Sequence, residues 1–244
     1  MKTLFITGAN KGIGFETARQ SLQKGFYVYL GSRNLQNGKE AAEKLQAEGY
    51  INVEAIQIDV TDQVSVNEAR TEIAQKTEIL DVLINNAGIS GKYPQPTLNT
   101  DIEVFKEVFD TNVYGVVRVT VAFIDLLRKS SEPRIVNVSS GQGSLGLASD
   151  PMAPYYHYKG AVYPASKSAL NMYTINLAYE LKDTNIKVNL VCPGFTKTDF
   201  TGHEGTGTVK EASERILKYA LIGNDGPTGQ FFCEEILPFT TCPW

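Results

Sequence analysis

Tyr163 and Lys167 stand four residues apart, and Ala169, Leu170, Tyr173, Leu177, Ala178 and Leu181 follow them at helical spacing. A helix over this stretch places the phenol and the ammonium on one face. A phenol titrates near pKa ~10. A neighbouring ammonium favours the charged form and is expected to lower that value. Such a pair can exchange a proton with a substrate oxygen, help on the order of 10²–10⁴-fold. Pro164 is tolerated in the first helical turn. Tyr155 and Lys159 repeat the spacing closer to Ser140, but Pro154 before them and Gly160 after them argue for a loop. Tyr163 and Lys167 are the pair that the pattern selects.

A second chemical feature lies at the N-terminus. A strand pattern runs straight into Thr7-Gly8-Ala9-Asn10-Lys11-Gly12-Ile13-Gly14, and a helical pattern follows. Glycine lets the backbone turn tightly and lets a phosphate approach. A helix beginning near Gly12 aims free amides and its positive end at a pyrophosphate. Strand, turn and helix in this order predict dinucleotide binding, with GxxxGxG spacing rather than GxGxxG. The second strand ends Leu30-Gly31-Ser32-Arg33, with no acidic residue to hold a ribose diol. Arg33 and Lys11 offer two cations there and favour NADP(H). Ser32 leaves NAD(H) open. Asp59-Val60, at the end of the third strand, is placed for the adenine amino group. Asp62 or Thr61 is a local helix cap.

The elements that must position these groups are legible as alternation. Strand candidates cover 3–7, 27–30, 53–58, 82–85, 134–139, 187–191 and 230–233. Amphipathic stretches cover 15–24, 35–48, 64–76 and 104–129. This βαβα pattern predicts a single-domain, doubly wound parallel sheet of about seven strands with helices on both faces, spanning 1–244. Two loop-like insertions, around 141–162 and 195–209, fall at carboxyl ends of strands, where open α/β sheets bind ligands.

With Asn85-Asn86-Ala87-Gly88 after the fourth strand, Asn112 in the next helical stretch, Ser139-Ser140 after the fifth and Pro193-Gly194 after the sixth, the ordered set TGxxxGxG, NNAG, N-S-YxxxK and PG resembles the short-chain dehydrogenase/reductase family along nearly the whole chain. Residues 11–14, 134–140 and 226–231 resemble its carbonyl-reductase branch. The resemblance implies that Tyr163 gives a proton to a carbonyl oxygen while hydride reaches the carbon, and that the positive oxidised nicotinamide helps to acidify the phenol. It further implies that Ser140 rather than Ser139 holds the carbonyl oxygen, Lys167 also binds the nicotinamide ribose, and Asn112 holds a water linked to Lys167. Gly8, Asn10, Lys11, Gly12, Ile13, Gly14, Arg33, Asp59, Val60, Asn86, Ala87, Gly88, Tyr163, Lys167, Pro193, Gly194, Thr196 and Thr198 are then the cofactor-binding positions. The segment between Ser140 and Tyr163 is longer than the family's usual one, which favours a monomer over a dimer or tetramer. With Met152, Tyr155 and Tyr156 as walls, and His203 at the entrance, it suggests a largely apolar pocket for bulky or aromatic ketones and aldehydes. A dehydrogenase with a narrow steroid or 3-ketoacyl substrate, and a non-catalytic dinucleotide sensor, are the alternatives. A sensor of this kind typically lacks the tyrosine or lysine that this chain retains.

Composition narrows the remaining classes. The 244 residues carry a formal net charge of −4 and no basic tract, against a nucleic-acid or anionic-membrane surface. No run of apolar residues has the length of a signal peptide or a membrane span. Cys192, Cys233 and Cys242 show no CxxC spacing and read as free thiols of a cytoplasmic protein. His157 and His203 have no ligand-spaced partners, so no metal site is expected.

Overall fold

In the computed structural model, which describes residues 1–154, 156–236 and 241–244, seven parallel strands form one sheet. They are β1 (Thr3–Ile6), β2 (Tyr27–Ser32), β3 (Val53–Gln57), β4 (Val82–Asn85), β5 (Arg134–Val138), β6 (Lys187–Val191) and β7 (Phe231–Phe232). Their spatial order is β3-β2-β1-β4-β5-β6-β7. The order reverses between β1 and β4, and a crevice opens at such a switch point beyond the carboxyl ends of the strands. The helices are α1 (Gly12–Gln23), α2 (Leu35–Ala47), α3 (Gln63–Lys76), α4 (Ile102–Phe109), α5 (Gly115–Leu127), α6 (Leu145–Ser149), α7 (Tyr163–Glu180) and α8 (Val209–Ala220).

Strand side chains alternate between faces, and here both faces are apolar. Leu4, Ile6, Val28, Leu30, Val82 and Ile84 pack with Ala18, Leu22, Ala41, Leu45, Ile216 and Leu217 of α1, α2 and α8. Phe5, Tyr29, Leu83, Ile135 and Val188 pack with Val66, Ile73, Val119, Phe123 and Ala178 of α3, α5 and α7. This is why the strands read as continuous apolar runs. None of the described helices is long and apolar enough to cross a membrane.

The structure corrects the expected elements in three places. The single helical stretch 104–129 is instead α4 and α5 joined by a π-helical turn, Asp110–Tyr114. The segment 141–162 is not wholly irregular, since it holds a 3₁₀ turn, Gly141–Gly143, followed by α6. Helix α8 was not anticipated, although Thr208 and Glu211 form a capping box at its start. That T-x-x-E spacing was its readable signal. The local cap of α3 is Asp62, which accepts from the Val64 amide at 2.9 Å.

Candidate active site

Tyr163 is the first residue of α7 and Lys167 lies one turn later; both are buried, 9% and 5% exposed. Lys167 Nζ lies 5.7 Å from the Tyr163 ring centroid and donates to the Val138 carbonyl at 2.9 Å. The Ser140 hydroxyl lies beside the Tyr163 phenol, where its hydrogen bonding favours the phenolate, and it accepts from the Gln142 amide at 3.2 Å. Ser139 is committed elsewhere, its hydroxyl donating to Asn171 Oδ1 at 2.7 Å. Lys159 is likewise committed, to the Ala148 carbonyl at 2.6 Å and to the face of the Tyr156 ring. Tyr155 lies outside the described residues.

The electrostatics differ from the sequence expectation. Burial raises the Tyr163 phenol above its ordinary value, and the Ser140 hydrogen bond opposes this without overcoming it. Loss of water on burial disfavours the phenolate, and it is this that sets the direction of the shift despite the Lys167 ammonium 5.7 Å from the ring. Burial also pulls Lys167 down, to about 8. The phenol is therefore a protonated group at neutral pH, suited to donate.

Asn112 sits in the π-helical turn, a feature that often marks functional positions. Its Nδ2 donates to the Ile89 carbonyl at 2.8 Å and to Ser166 Oγ at 3.0 Å, while its Oδ1 accepts from the Ile89 amide at 2.9 Å. Ser166 Oγ donates in turn to the Tyr163 carbonyl at 2.7 Å. One buried side chain thus ties the segment after Gly88 to the first turn of α7. A Cβ on Gly88 would lie 3.2 Å from Asn112 Oδ1 and 3.6 Å from Lys167 Nζ, so the three groups adjoin.

The glycine turn is braced from β4. Asn86 Nδ2 donates to the Thr7 and Gly8 carbonyls at 2.9 and 3.0 Å, and Thr7 Oγ1 accepts from the Asn86 and Ala87 amides. The Asn86 side chain therefore shapes the cradle. Helix α1 starts at Gly12 with Lys11 in the cap position and no capping side chain, leaving its first amides open to an anion. Gly12 has φ +58°, and a Cβ there would project into the gap facing Thr198, 3.6 Å from its Cγ2. Glycine is required there by the backbone, because a side chain at this positive φ would be strained. These features fit a dinucleotide pyrophosphate. Asn10 is half-buried beside the turn, and Ile13 packs on the core beneath it. Lys11 is exposed and paired with Asp199 at 2.8 Å, and Asp199 also meets His203 at 3.0 Å. Arg33 is exposed at the end of β2, whereas Ser32 is buried and donates to the Asn34 carbonyl at 2.8 Å. Asp59 Oδ1 accepts from the Thr61 amide and hydroxyl at 2.9 and 2.7 Å, and Val60 is buried against Gly115.

The segment after β6 closes the other side. Arg215 donates to the Pro193 carbonyl at 2.6 Å, and the Phe195 amide donates to the Glu235 carboxylate at 3.0 Å. Thr196 is buried, its hydroxyl donating to the Gly194 carbonyl at 3.1 Å. The Phe200 ring meets the Tyr163 ring edge-on, centroids 5.6 Å apart. Phe200, Arg215 and Glu235 were not singled out from the sequence, where nothing in their spacing ties them to the site. Met152, expected as a wall, is exposed, and Tyr156 packs edge-on against His157 at 5.2 Å. Cys192, Cys233 and Cys242 are free and buried.

Gly143 sets the distance between the loop after β5 and the reactive helix. A Cβ there would lie 2.7 Å from Lys167 Cβ and 2.9 Å from the Lys167 carbonyl carbon. Ser168 and Asn171 both donate to its carbonyl. Gly143→Ala is expected to cost about 1–3 kcal/mol by overpacking, measured by denaturant unfolding, and to displace α7 from Ser140.

A parallel sheet with a glycine-turn cradle at its switch point, and a buried Tyr–Lys pair with a serine beside it, define a nucleotide-dependent oxidoreductase. The short chain dehydrogenase family model matches residues 2–208. The chain belongs to that family. It is 34% identical over 306 residues to (+)-neomenthol dehydrogenase of Capsicum annuum, covering 96% of each chain. Among solved structures, salutaridine reductase from Papaver somniferum superposes with a TM-score of 0.82 at 31% identity, covering 94% of this chain and 98% of the other. The NADPH-bound carbonyl reductase from chicken fatty liver superposes with a TM-score of 0.86 at 27% identity, covering 100% and 99%.

Proposed function

We propose that this chain is an NADP(H)-dependent carbonyl reductase acting on bulky, apolar or aromatic ketones and aldehydes. The observation that carries the reading is the buried, protonated Tyr163 phenol, bonded to Ser140 and bordered by the Phe200 ring. When bound, the reduced nicotinamide supplies hydride to the carbonyl carbon. Tyr163 Oη donates its proton to the carbonyl oxygen, and the Ser140 hydroxyl hydrogen-bonds that oxygen as charge develops. Lys167 stabilises the phenolate left behind and binds the nicotinamide ribose. Because the Asn112 side chain is engaged with Ile89 and Ser166, a water held by this residue sits on its backbone carbonyl. Phe200, with the loops around 141–162 and 195–209, forms the substrate wall.

The cofactor is held by Gly8, Asn10, Gly12, Ile13 and Gly14 at the pyrophosphate, Asp59 and Val60 at adenine, and Ala87 and Gly88 beside the ribose. Asn86 shapes this cradle, and Pro193, Gly194, Thr196 and Thr198 border the nicotinamide. Arg33 and Lys11 support NADP(H), as does the similarity to the NADPH-bound carbonyl reductase. Ser32, the residue that left NAD(H) open, spends its hydroxyl on Asn34. The Lys11–Asp199 pair is exposed, and such pairs contribute little, so a 2′-phosphate dianion competes well for Lys11. The alignment with neomenthol dehydrogenase spans 306 positions, more than the 244 residues here, so that relative carries internal segments this chain lacks.

Initial rates with NADPH and NADH against a panel of ketones test the reading. Turnover of small polar sugars with none of aryl ketones would overturn the substrate class. Lys11→Ala and Arg33→Ala are each expected to raise the KM for NADPH by roughly 10-fold or more, since a hydrogen bond to a charged group contributes about 1.5–3 kcal/mol. The KM for NADH should stay nearly constant, and equal losses for both cofactors would place these cations elsewhere.

A further inference from the structure

Helix α7 begins with the reactive tyrosine yet has no cap of its own. Val162, in the cap position, has no acceptor side chain, and Pro164 has no amide hydrogen. A helix start leaves its first amides without partners inside the helix. Two of them, Val162 N–H and Tyr163 N–H, donate to Oε1 of Gln95 at 3.2 and 3.1 Å. Gln95 lies in the loop after β4 and is 4% exposed. Its Nε2 donates to the Ser90 carbonyl at 2.7 Å, and its backbone carbonyl accepts from the Ala161 amide at 3.0 Å. One side chain therefore joins the segment following Gly88 to the first turn of the helix.

We infer that Gln95 is a positioning residue for the reaction, a cap supplied from a distant loop that holds the Tyr163 backbone in line with Ser140. This rests on the activity proposed above. The amide is chemically suited, because the place needs an acceptor for two N–H groups and a donor for one carbonyl, and glutamine carries both. The surroundings are shaped to it. A Cβ on Gly160 would lie 3.1 Å from Gln95 Oε1, and one on Gly91 would lie 3.2 Å from its Nε2. A buried amide left without a partner is costly, so loss of the acceptor favours unwinding of the first turn. Tyr163 stands in that turn and moves with it. Lys167 lies one turn further in and is held by Val138. The consequence falls on proton donation more than on cofactor binding. A misplacement of about 1 Å costs on the order of 10²-fold in rate.

The test uses Gln95→Met, which keeps the length and removes both the acceptor and the donor, and Gln95→Glu, which keeps the acceptor for the two amides and, once its buried carboxyl is protonated, a donor for the Ser90 carbonyl. For Gln95→Met, kcat should fall roughly 10- to 100-fold, while the substrate KM and the dissociation constant for NADPH stay near those of the parent. Hydrogen exchange in the peptide covering 160–166 should quicken. Gln95→Glu should recover the lost kcat and the slow exchange progressively as the pH is lowered towards about 5, where burial keeps the carboxyl protonated and both hydrogen-bonding roles are filled. The inference is overturned if Gln95→Met leaves kcat and exchange unchanged, if kcat and NADPH affinity fall together, or if Gln95→Glu is no better than Gln95→Met even at the acidic end of the range. Exchange reads the cap without turnover. If the parent reduced no carbonyl while exchange responded as described, the proposed activity would fail and the cap would stand.

Discussion

Tyr163→Phe is expected to lower carbonyl reduction by roughly 10²–10⁴-fold, the range that a positioned proton donor supplies, while NADPH binding stays near the parent value. The substitution removes one oxygen and leaves the ring, so the edge-on contact with Phe200 and the burial of the first turn of α7 persist. What is lost is the hydroxyl that Ser140 contacts. The measurement is single-turnover reduction of an aryl ketone alongside fluorescence titration of NADPH. A variant that binds NADPH normally and still reduces the ketone at a parental rate would remove Tyr163 from the chemistry. Tyr155→Phe is the matched control and should keep most activity, because Lys159, which would have to partner it, is bound to Ala148 and Tyr156.

The second large effect concerns Lys167 and pH. Burial lowers its pKa to about 8, whereas burial raises Tyr163. In the reductive direction both groups must be protonated, so kcat/KM is expected to be level below about pH 8 and to fall above it as the ammonium is lost. The phenol, raised rather than lowered, contributes nothing to that limb. Stability should move the other way. The folded pKa of Lys167 lies below its unfolded value of 10.5, so between those values the unfolded chain binds more protons and this group's contribution to stability rises with pH. Loss of activity above pH 8 without loss of Tm would therefore identify titration rather than unfolding. Lys167→Met should reduce the rate on the order of 100-fold at neutral pH, abolish the alkaline limb and leave Tm the same or higher, since it removes a buried charge. An alkaline limb retained in Lys167→Met would assign it to another group.

The parts of this site that are local in sequence were readable, because local chemistry dictates them. The four-residue spacing of Tyr163 and Lys167 becomes one helix face once the helix forms, and the strand–glycine–helix order becomes a cradle through backbone geometry alone. Alternating apolar runs were enough for the layers, since a strand covered on both sides needs no polar alternation. The π-helical turn at Asp110–Tyr114 was not readable. Its residues include no glycine or proline to mark a break, and the contacts that hold Asn112 there come from Ile89 and Ser166, distant in sequence.

The sequence by itself determined the parallel α/β architecture, the glycine cradle and the pairing of a phenol with an ammonium, because each follows from periodicity or spacing within one element. Tertiary structure alone decided the rest. It chose the sign of the Tyr163 shift, since burial outweighs a charge whose distance no spacing reveals. It brought Phe200 to the reactive ring and Gln95 to the start of α7, across 37 and 68 residues of chain. It also committed Ser139 to Asn171, leaving Ser140 for the phenol. Contacts between elements depend on how whole layers pack, and no local pattern encodes which loop will meet which helix end.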